Sequence, residues 1–163
     1  MKIFWSYARR DDKSPSRKVS NLQQAFETVL SQVVGKDCEI YFDRFSLKWG
    51  VEWRKEIERL INASDGFVAI VTPSYFNSRM CMFELQMARA ARKTILPIYF
   101  RTCKAFKSTF KEDGIESEIN KKLNHASLAV SDSQMKDFRG LRNEKLDSRE
   151  VENFIDGMAE EIA

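Results

Sequence analysis

The segment "GFVAIVT", residues 66–72, constrains the fold of this chain more than any other stretch. It is an almost continuous run of apolar and β-branched side chains. A strand with one solvated face alternates apolar and polar residues, whereas a strand covered on both faces does not. The segment therefore predicts a central strand with packed layers on each side.

Strand-like and helix-like segments alternate around this run. "KIFWSY", "CEIYFD" and "TILPIYF" have strand composition, and apolar residues recur at helical spacing over residues 20–34 and 53–61. Such alternation indicates βαβ units with right-handed crossovers and a parallel sheet. We therefore predict an α/β, flavodoxin-like fold, with a five-stranded parallel sheet in the order 2-1-3-4-5 and helices on both faces.

Cap and breaker residues mark several boundaries. Gly35 stands where the first helix is expected to end. Pro73 suits a first helical turn, and Ser78 can cap a second helical start in a helical region that continues through Ala91.

The C-terminal third carries weaker signals. Helices are predicted near Ile115–Leu123 and Val151–Ile162. The fifth strand has two candidates, Ala126–Val130 and Phe138–Leu141, and the sequence does not choose between them.

Composition limits the classes of function. With 163 residues, 43% of them hydrophobic and 31% charged, residues 1–163 are expected to form one globular domain. The 27 basic residues are interleaved with 24 acidic ones, so no nucleic acid partner is expected. Three cysteines and a single histidine argue against a zinc site or a disulfide framework and for a reducing, cytoplasmic compartment. Apolar runs stay far below the roughly 20 residues of a membrane span, and no signal peptide is recognised, so no membrane partner is expected.

Common motifs for nucleotide binding and nucleophilic catalysis are missing. No G-x-G-x-x-G follows the first strand and no G-x-x-x-x-G-K-[ST] occurs, which argues against a dehydrogenase and an NTPase. Asp11 and Asp12 resemble the acidic pair of response-regulator receivers, but Thr72 stands where the phosphoacceptor would be, so a solvated loop is expected. Cys81 has no histidine near it in sequence and is interpreted as a small hydrophobic residue.

The tryptophans fall into two groups. Trp5 and Trp53 lie in apolar segments and are predicted to be core residues. Trp49 lies in a loop before Gly50 and is a candidate for a functional contact.

In the segment "SRMCMFEL", Glu84 stands between two apolar residues. At 100° per residue, one narrow apolar arc of this helical region is predicted to face the sheet. That arc consists of Phe76, Met80, Phe83 and Met87. Glu84 projects about 60° from the centre of the arc, at the edge of the predicted buried face.

Two interpretations of Glu84 follow from that position. A carboxylate at such an edge is partly desolvated yet reachable, the setting in which ionisable groups acquire functional roles. The structural alternative is a boundary glutamate paired with Arg79 or Arg92. A functional site in this fold is expected beyond the carboxyl ends of the strands, in the loops at residues 6–9, 43–44 and 72–74.

Three segments follow one another in an order and spacing that point to a known family. They are "KIFWSYARRD", "YFDRFSLKWGVEWRKEIERLINASDGFVAIVTPSYFNSRMCMFEL" and "ILPIYF". Together they resemble the TIR (Toll/interleukin-1 receptor) domain family, especially its bacterial members, from residue 2 to about residue 101. Ser78, Cys81 and Glu84 also form an S-x-x-C-x-x-E arrangement that is similar to the motif of TIR domains that degrade NAD⁺.

The resemblance implies an NAD⁺ glycohydrolase with Glu84 as its catalytic residue. Because the nicotinamide of NAD⁺ is already a pyridinium cation, breaking its bond to ribose needs no general acid, unlike ordinary glycoside hydrolysis with two carboxylates. A fixed negative charge in a poorly solvated cleft then stabilises an oxocarbenium-like transition state. NAD⁺ is the implied substrate, no cofactor is implied, and the products are nicotinamide and ADP-ribose or a cyclic ADP-ribose. Relatives of this type act as immune or anti-phage effectors that deplete NAD⁺ after TIR–TIR assembly.

The resemblance also implies residues that contact the substrate. Ser6, Tyr7 and Arg9 match an "SY-R" stretch that lines the pocket, with Arg9 as a candidate phosphate contact. Ser78 and Cys81 belong to the implied catalytic helix.

A loop after the second strand, the BB loop Arg44–Gly50, is implied to join copies of the domain head to tail. Asp43, Leu47 and Trp49 match segments that close over the ligand or meet a neighbouring domain. Met80 replaces a tryptophan that many catalytic members carry, so a stacking platform for nicotinamide or adenine is lost or moved.

Two other functions stay open at this point. One is a non-catalytic TIR interaction module that assembles through the BB loop. The other is an N-glycosidic enzyme similar to a nucleoside deoxyribosyltransferase, whose fold and single carboxylate are alike. The family further suggests fusion to a ligand-sensing domain that is not in this chain.

Overall fold

The computed structural model describes residues 1–13, 15–41, 52–103, 130 and 135–163. Five strands follow one another along these residues: β1 Lys2–Ser6, β2 Glu39–Tyr41, β3 Gly66–Val71, β4 Thr94–Tyr99 and β5 Lys136–Asp137. The α-helices of these ranges are α1 Lys18–Val34, α2 Trp53–Ala63, α3 Pro73–Phe76, α4 Arg79–Ala90 and α5 Arg149–Ile162. A short 3₁₀ turn at Arg9–Asp12 follows β1.

The five strands form one parallel sheet in the order β2-β1-β3-β4-β5. β3 pairs with β1 on one side and with β4 on the other, and all six of its residues are buried. The predicted fold class, strand order and central strand are therefore confirmed.

Each face of the sheet packs against its own layer of helices. Ile3 and Trp5 of β1 belong to a core shared with α1 and α5, whereas Phe4 belongs to a core shared with α2 and α4. Successive side chains of a strand point to opposite faces, so a strand covered on both sides needs apolar residues at every position. That requirement accounts for the unbroken apolar runs in β1 and β3.

The fifth strand lies in neither of the two candidate segments. β5 is Lys136–Asp137 and ends directly before Phe138, so the Phe138–Leu141 candidate is wrong by a few residues, and residues 138–141 themselves form no strand. Within Ala126–Val130 only Val130 is described, and it is buried. α5 confirms the helix predicted near Val151–Ile162, whereas the one predicted near Ile115–Leu123 lies outside the described residues.

The structure separates the two tryptophans that were predicted to be in the core. Trp5 is buried between the sheet and α1, where its ring lies 5.7 Å from that of Phe26. Trp53 is 38% exposed, so its predicted core position is wrong. It is the first residue of α2, ahead of the buried turn of that helix, and its ring meets Phe83 of α4 edge-on at 5.8 Å. Trp49 lies outside the described residues.

Gly35 ends α1 in the left-handed region, with φ of +69°, and its amide donates to the carbonyl of Gln32. A side chain there is strained by the backbone, even though an added Cβ would meet no atom within 4 Å. Gly140 has equal space around it but φ of −67°, which any residue adopts.

These two glycines form a matched pair for mutation. Gly35→Ala is expected to lower the free energy of unfolding by about 1 kcal/mol, because alanine is disfavoured in the left-handed region. Gly140→Ala is expected to leave the free energy of unfolding unchanged or to raise it by up to about 1 kcal/mol, because alanine lowers the conformational entropy of the unfolded chain. Urea denaturation measures both free energies of unfolding. Equal effects of the two substitutions would contradict the assignment of Gly35 to a left-handed helix cap.

Candidate functional site

The carboxyl ends of β1 and β3 meet at the middle of the sheet. The chain leaves β1 toward β2 on one side and leaves β3 toward β4 on the other, so the strand order reverses between these two strands. In open α/β sheets this switch point leaves a crevice in which ligands bind. Ser6 ends β1 and Thr72 follows β3, so both lie at this place.

Thr72 organises the turn that leaves β3. Its hydroxyl oxygen accepts a hydrogen bond from the amide of Tyr75 at 3.0 Å, which caps the first turn of α3. The same hydroxyl donates to Asp11 Oδ2 at 2.5 Å and so ties this turn to the loop after β1. Pro73 occupies the first turn, as predicted from the sequence.

Ser78 begins α4, as predicted. Its side-chain oxygen accepts a hydrogen bond from the amide of Cys81 at 3.3 Å. The cap sets where the helix starts.

The face that α4 buries differs from the predicted one. The buried residues of this helix are Cys81, Glu84, Leu85 and Ala88. Met80, Phe83 and Met87 of the predicted arc lie about 120° around the helix from this face and are only partly buried. Phe76, the fourth residue of the arc, is buried but belongs to α3. Phe83 contacts Trp53, so this arc turns toward α2 and not toward the sheet.

Glu84 consequently lies inside the protein and not at the edge of the buried face. Its exposed fraction is 0%. The structural alternative of a boundary glutamate paired with Arg79 or Arg92 does not fit this position, because Glu84 is fully buried and does not lie at the boundary.

The carboxylate of Glu84 is held by a hydroxyl from the end of β1. Ser6 donates to Glu84 Oε2 in a short hydrogen bond of 2.6 Å. Ser6 Oγ also lies 3.2 Å from the hydroxyl of Tyr75. Because Ser6 has one proton, donation to Glu84 leaves Tyr75 to donate to Ser6. All three residues are buried.

The structure brings some of the other predicted site residues to this place and leaves others apart. Tyr7 is buried directly after Ser6, and Arg9 is exposed in the turn that follows. On α4, Cys81 is fully buried, whereas Met80 packs at the periphery of the same core. The predicted residues Asp43, Leu47 and Trp49 and the loop Arg44–Gly50 lie outside the described residues.

Sequence reasoning missed several polar residues that build this site. Thr72 lies in one of the loops predicted to build the site, but no role is predicted for it there, and Tyr75 is not singled out, although the T-P-S-Y pattern signals a capped turn. Asp11 and Asp12 were expected in a solvated loop, and that expectation is wrong. Asp11 accepts the bond from Thr72, and Asp12 accepts the amides of Val19 and Ser20 and thereby caps α1, which the local sequence alone does not show.

Cys103 lies close to this cluster but is poorly suited to nucleophilic chemistry. Burial, with a smaller contribution from the negative charge of Asp11, raises the pKa of the Cys103 thiol to about 12. A thiol with such a pKa stays protonated at neutral pH and is a weak nucleophile.

Two common functional features do not occur in the described part of the chain. No group of three or more His, Cys, Asp or Glu side chains there is placed to hold a metal ion. Among the same residues, no helix has the length and apolar character that crossing a bilayer requires.

Comparisons with known proteins agree with the fold. The family model described as "TIR domain" matches residues 3–142. No curated protein matches the chain. Among solved structures, one described as "Structure of the activated Roq1 resistosome directly recognizing the pathogen effector XopQ (TIR domains)" is similar to this chain. The TM-score is 0.64 and the sequence identity is 16%. The match covers 99% of each chain, and at this identity it is a similarity of fold.

Thr72 offers a matched test of how the loops after β1 and β3 are joined. Thr72→Val keeps the shape but removes both hydrogen bonds, so the free energy of unfolding is expected to fall by about 1–2 kcal/mol. Thr72→Ser keeps the hydroxyl and is expected to lose less than half of that. Chemical denaturation measures both variants, and equal losses would show that the hydroxyl is not what stabilises this turn.

Proposed function

The chain belongs to the TIR domain family, and we propose that it is an NAD⁺ glycohydrolase with Glu84 as the catalytic carboxylate. One observation carries the proposal: a glutamate is fully buried at the switch point of the sheet, with a hydroxyl bonded to it. Removing a carboxylate from water is costly, and a glutamate that serves only solubility or a surface ion pair does not incur that cost. Family membership and the S-x-x-C-x-x-E motif support the same residue.

The proposed reaction breaks the bond between ribose C1′ and the nicotinamide nitrogen. The bonding electron pair leaves with nicotinamide, which becomes neutral, so no proton is needed on the leaving group. Positive charge develops at C1′ and the ring oxygen, and the Glu84 carboxylate stabilises it electrostatically. A water molecule then adds to C1′ and releases a proton, giving ADP-ribose. Attack by a nitrogen of the adenine ring in place of water gives a cyclic ADP-ribose.

The burial of Glu84 bears on when the enzyme is active. With an exposed fraction of 0%, the carboxylate meets a ribose only after neighbouring side chains move. We therefore assign low activity to the isolated domain and higher activity to a head-to-tail assembly in which the BB loop, residues 44–50, of one copy completes the site of the next. Tyr7 and Arg9, two of the other expected substrate contacts, follow Ser6 within three residues and belong to the same proposal.

The proposed role is that of a cytoplasmic immune effector of bacterial type that depletes NAD⁺. One solved structure with this fold is the TIR part of an activated resistosome that recognises a pathogen effector, and this similarity supports an immune context and an assembled active state. A fused ligand-sensing domain would trigger assembly in the whole protein.

A non-catalytic interaction module is the second candidate. The observation that favours it is again the complete burial of Glu84, since a buried carboxylate can serve the fold alone. On this alternative the domain assembles through the same loop but leaves NAD⁺ intact.

NAD⁺ turnover by an artificially oligomerised domain separates the two candidates. Fusion to a self-assembling scaffold is expected to raise nicotinamide release, measured by chromatography, well above that of the free domain. Glu84→Gln, which keeps the shape and removes the charge, is expected to lower kcat by at least about 100-fold.

The matched control is Glu58→Gln on the exposed side of α2, which is expected to leave turnover unchanged. Intact NAD⁺ in an assembly confirmed by light scattering would support the interaction module, and loss of that assembly in Trp49→Ala would locate it in the BB loop. Equal turnover by Glu84→Gln would remove Glu84 from the mechanism.

A further inference from the structure

We propose that Ser6 and Tyr75 are positioning residues that hold the Glu84 carboxylate, and that Ser6 is not a substrate contact. This inference rests on the proposed function, since it assigns these two side chains to the orientation of the catalytic group. It changes the role that the family resemblance suggested for Ser6 and adds Tyr75, which no motif had indicated.

Ser6 is placed by the sheet and not by a loop. It is the last residue of β1, and it is in register with Ala69 of the central strand. Its exposed fraction is 0%, so its hydroxyl faces the protein interior. The 2.6 Å bond to Glu84 Oε2 therefore joins the sheet, a rigid part of the fold, to the helix that carries the carboxylate.

Tyr75 decides where the proton of Ser6 points. The Tyr75 hydroxyl lies 3.2 Å from Ser6 Oγ, and the ring is fully buried on α3. When Tyr75 donates to Ser6, the single proton of Ser6 is directed to Glu84. The position of α3 is in turn set by the Thr72 cap and by the bond from Thr72 to Asp11.

The resulting chain of hydroxyls does two things for the carboxylate. It fixes one oxygen of Glu84, and so restricts the side chain to an orientation set by β1 and α3. It also supplies a hydrogen bond that favours the charged form in a buried site. A carboxylate that is held before the substrate arrives does not have to reorganise as charge develops at C1′.

The kinetic test uses the oligomerised domain and two hydroxyl deletions, Ser6→Ala and Tyr75→Phe. Both are expected to lower kcat by about 10- to 100-fold, with a larger effect for Ser6→Ala, while KM changes by less than about threefold. A rise in KM with kcat unchanged would show that these hydroxyls bind substrate and would overturn the inference.

Ser64→Ala is the matched control for loss of a buried hydroxyl. Ser64 is also buried and donates to the carbonyl of Ile61 at 2.7 Å, but it precedes β3 and so lies at the opposite end of that strand. It is expected to lower the unfolding temperature without changing kcat. An equal loss of kcat in Ser64→Ala would mean that the effect of Ser6→Ala is only one of stability.

A double-mutant cycle on unfolding of the ligand-free domain tests the contact without any enzyme assay. Ser6→Ala is expected to raise the unfolding equilibrium constant by a certain factor in each background. That factor is expected to be about tenfold larger when Glu84 is present than in a Glu84→Met background. Additive effects would overturn the inference. If NAD⁺ stays intact while the cycle shows coupling, the proposed function fails but the hydroxyl contact to Glu84 stands.

Discussion

The burial of β3 on both faces dictates how the other elements are arranged. Its six residues are covered by the α1 and α5 layer on one side and by the α2 and α4 layer on the other. Even Gly66 at its start is closely surrounded, since an added Cβ would lie 3.2 Å from Ile3 Cδ1. In this fold the enclosed strand has parallel partners joined by crossover helices, and these place the ends of β1 and β3 side by side.

The candidate site lies where polar side chains enter the apolar core at the ends of β1 and β3. Glu84 enters the core from α4, and Ser6 meets it from the end of β1. Thr72 caps α3 and bonds to Asp11, so the loops after β1 and β3 are joined by side chains and not only by the sheet. Buried polar groups that satisfy one another confer rigidity and a defined geometry, which are the properties a preorganised site requires.

Local patterns predicted the elements well and the orientation of one helix poorly. The first four strands, the caps at Pro73 and Ser78 and the end of α1 at Gly35 follow from side chains that act on their own neighbourhood. The buried face of α4 does not, because this helix packs against both the sheet and α2. Hydrophobicity alone does not tell which apolar side meets which neighbour, so Phe83 was assigned to the sheet and its partner Trp53 to the core.

The amino-acid sequence was sufficient for the fold class, the strand order, the family and the choice of Glu84 as the residue of interest. Those features depend on periodicity and on motifs that are contiguous in the chain. The complete burial of Glu84, and the hydroxyls of Ser6 and Tyr75 that hold it, emerged from the packed structure alone. Ser6 and Glu84 are 78 residues apart, and their contact exists because two strands and a helix are packed together, which no local pattern records.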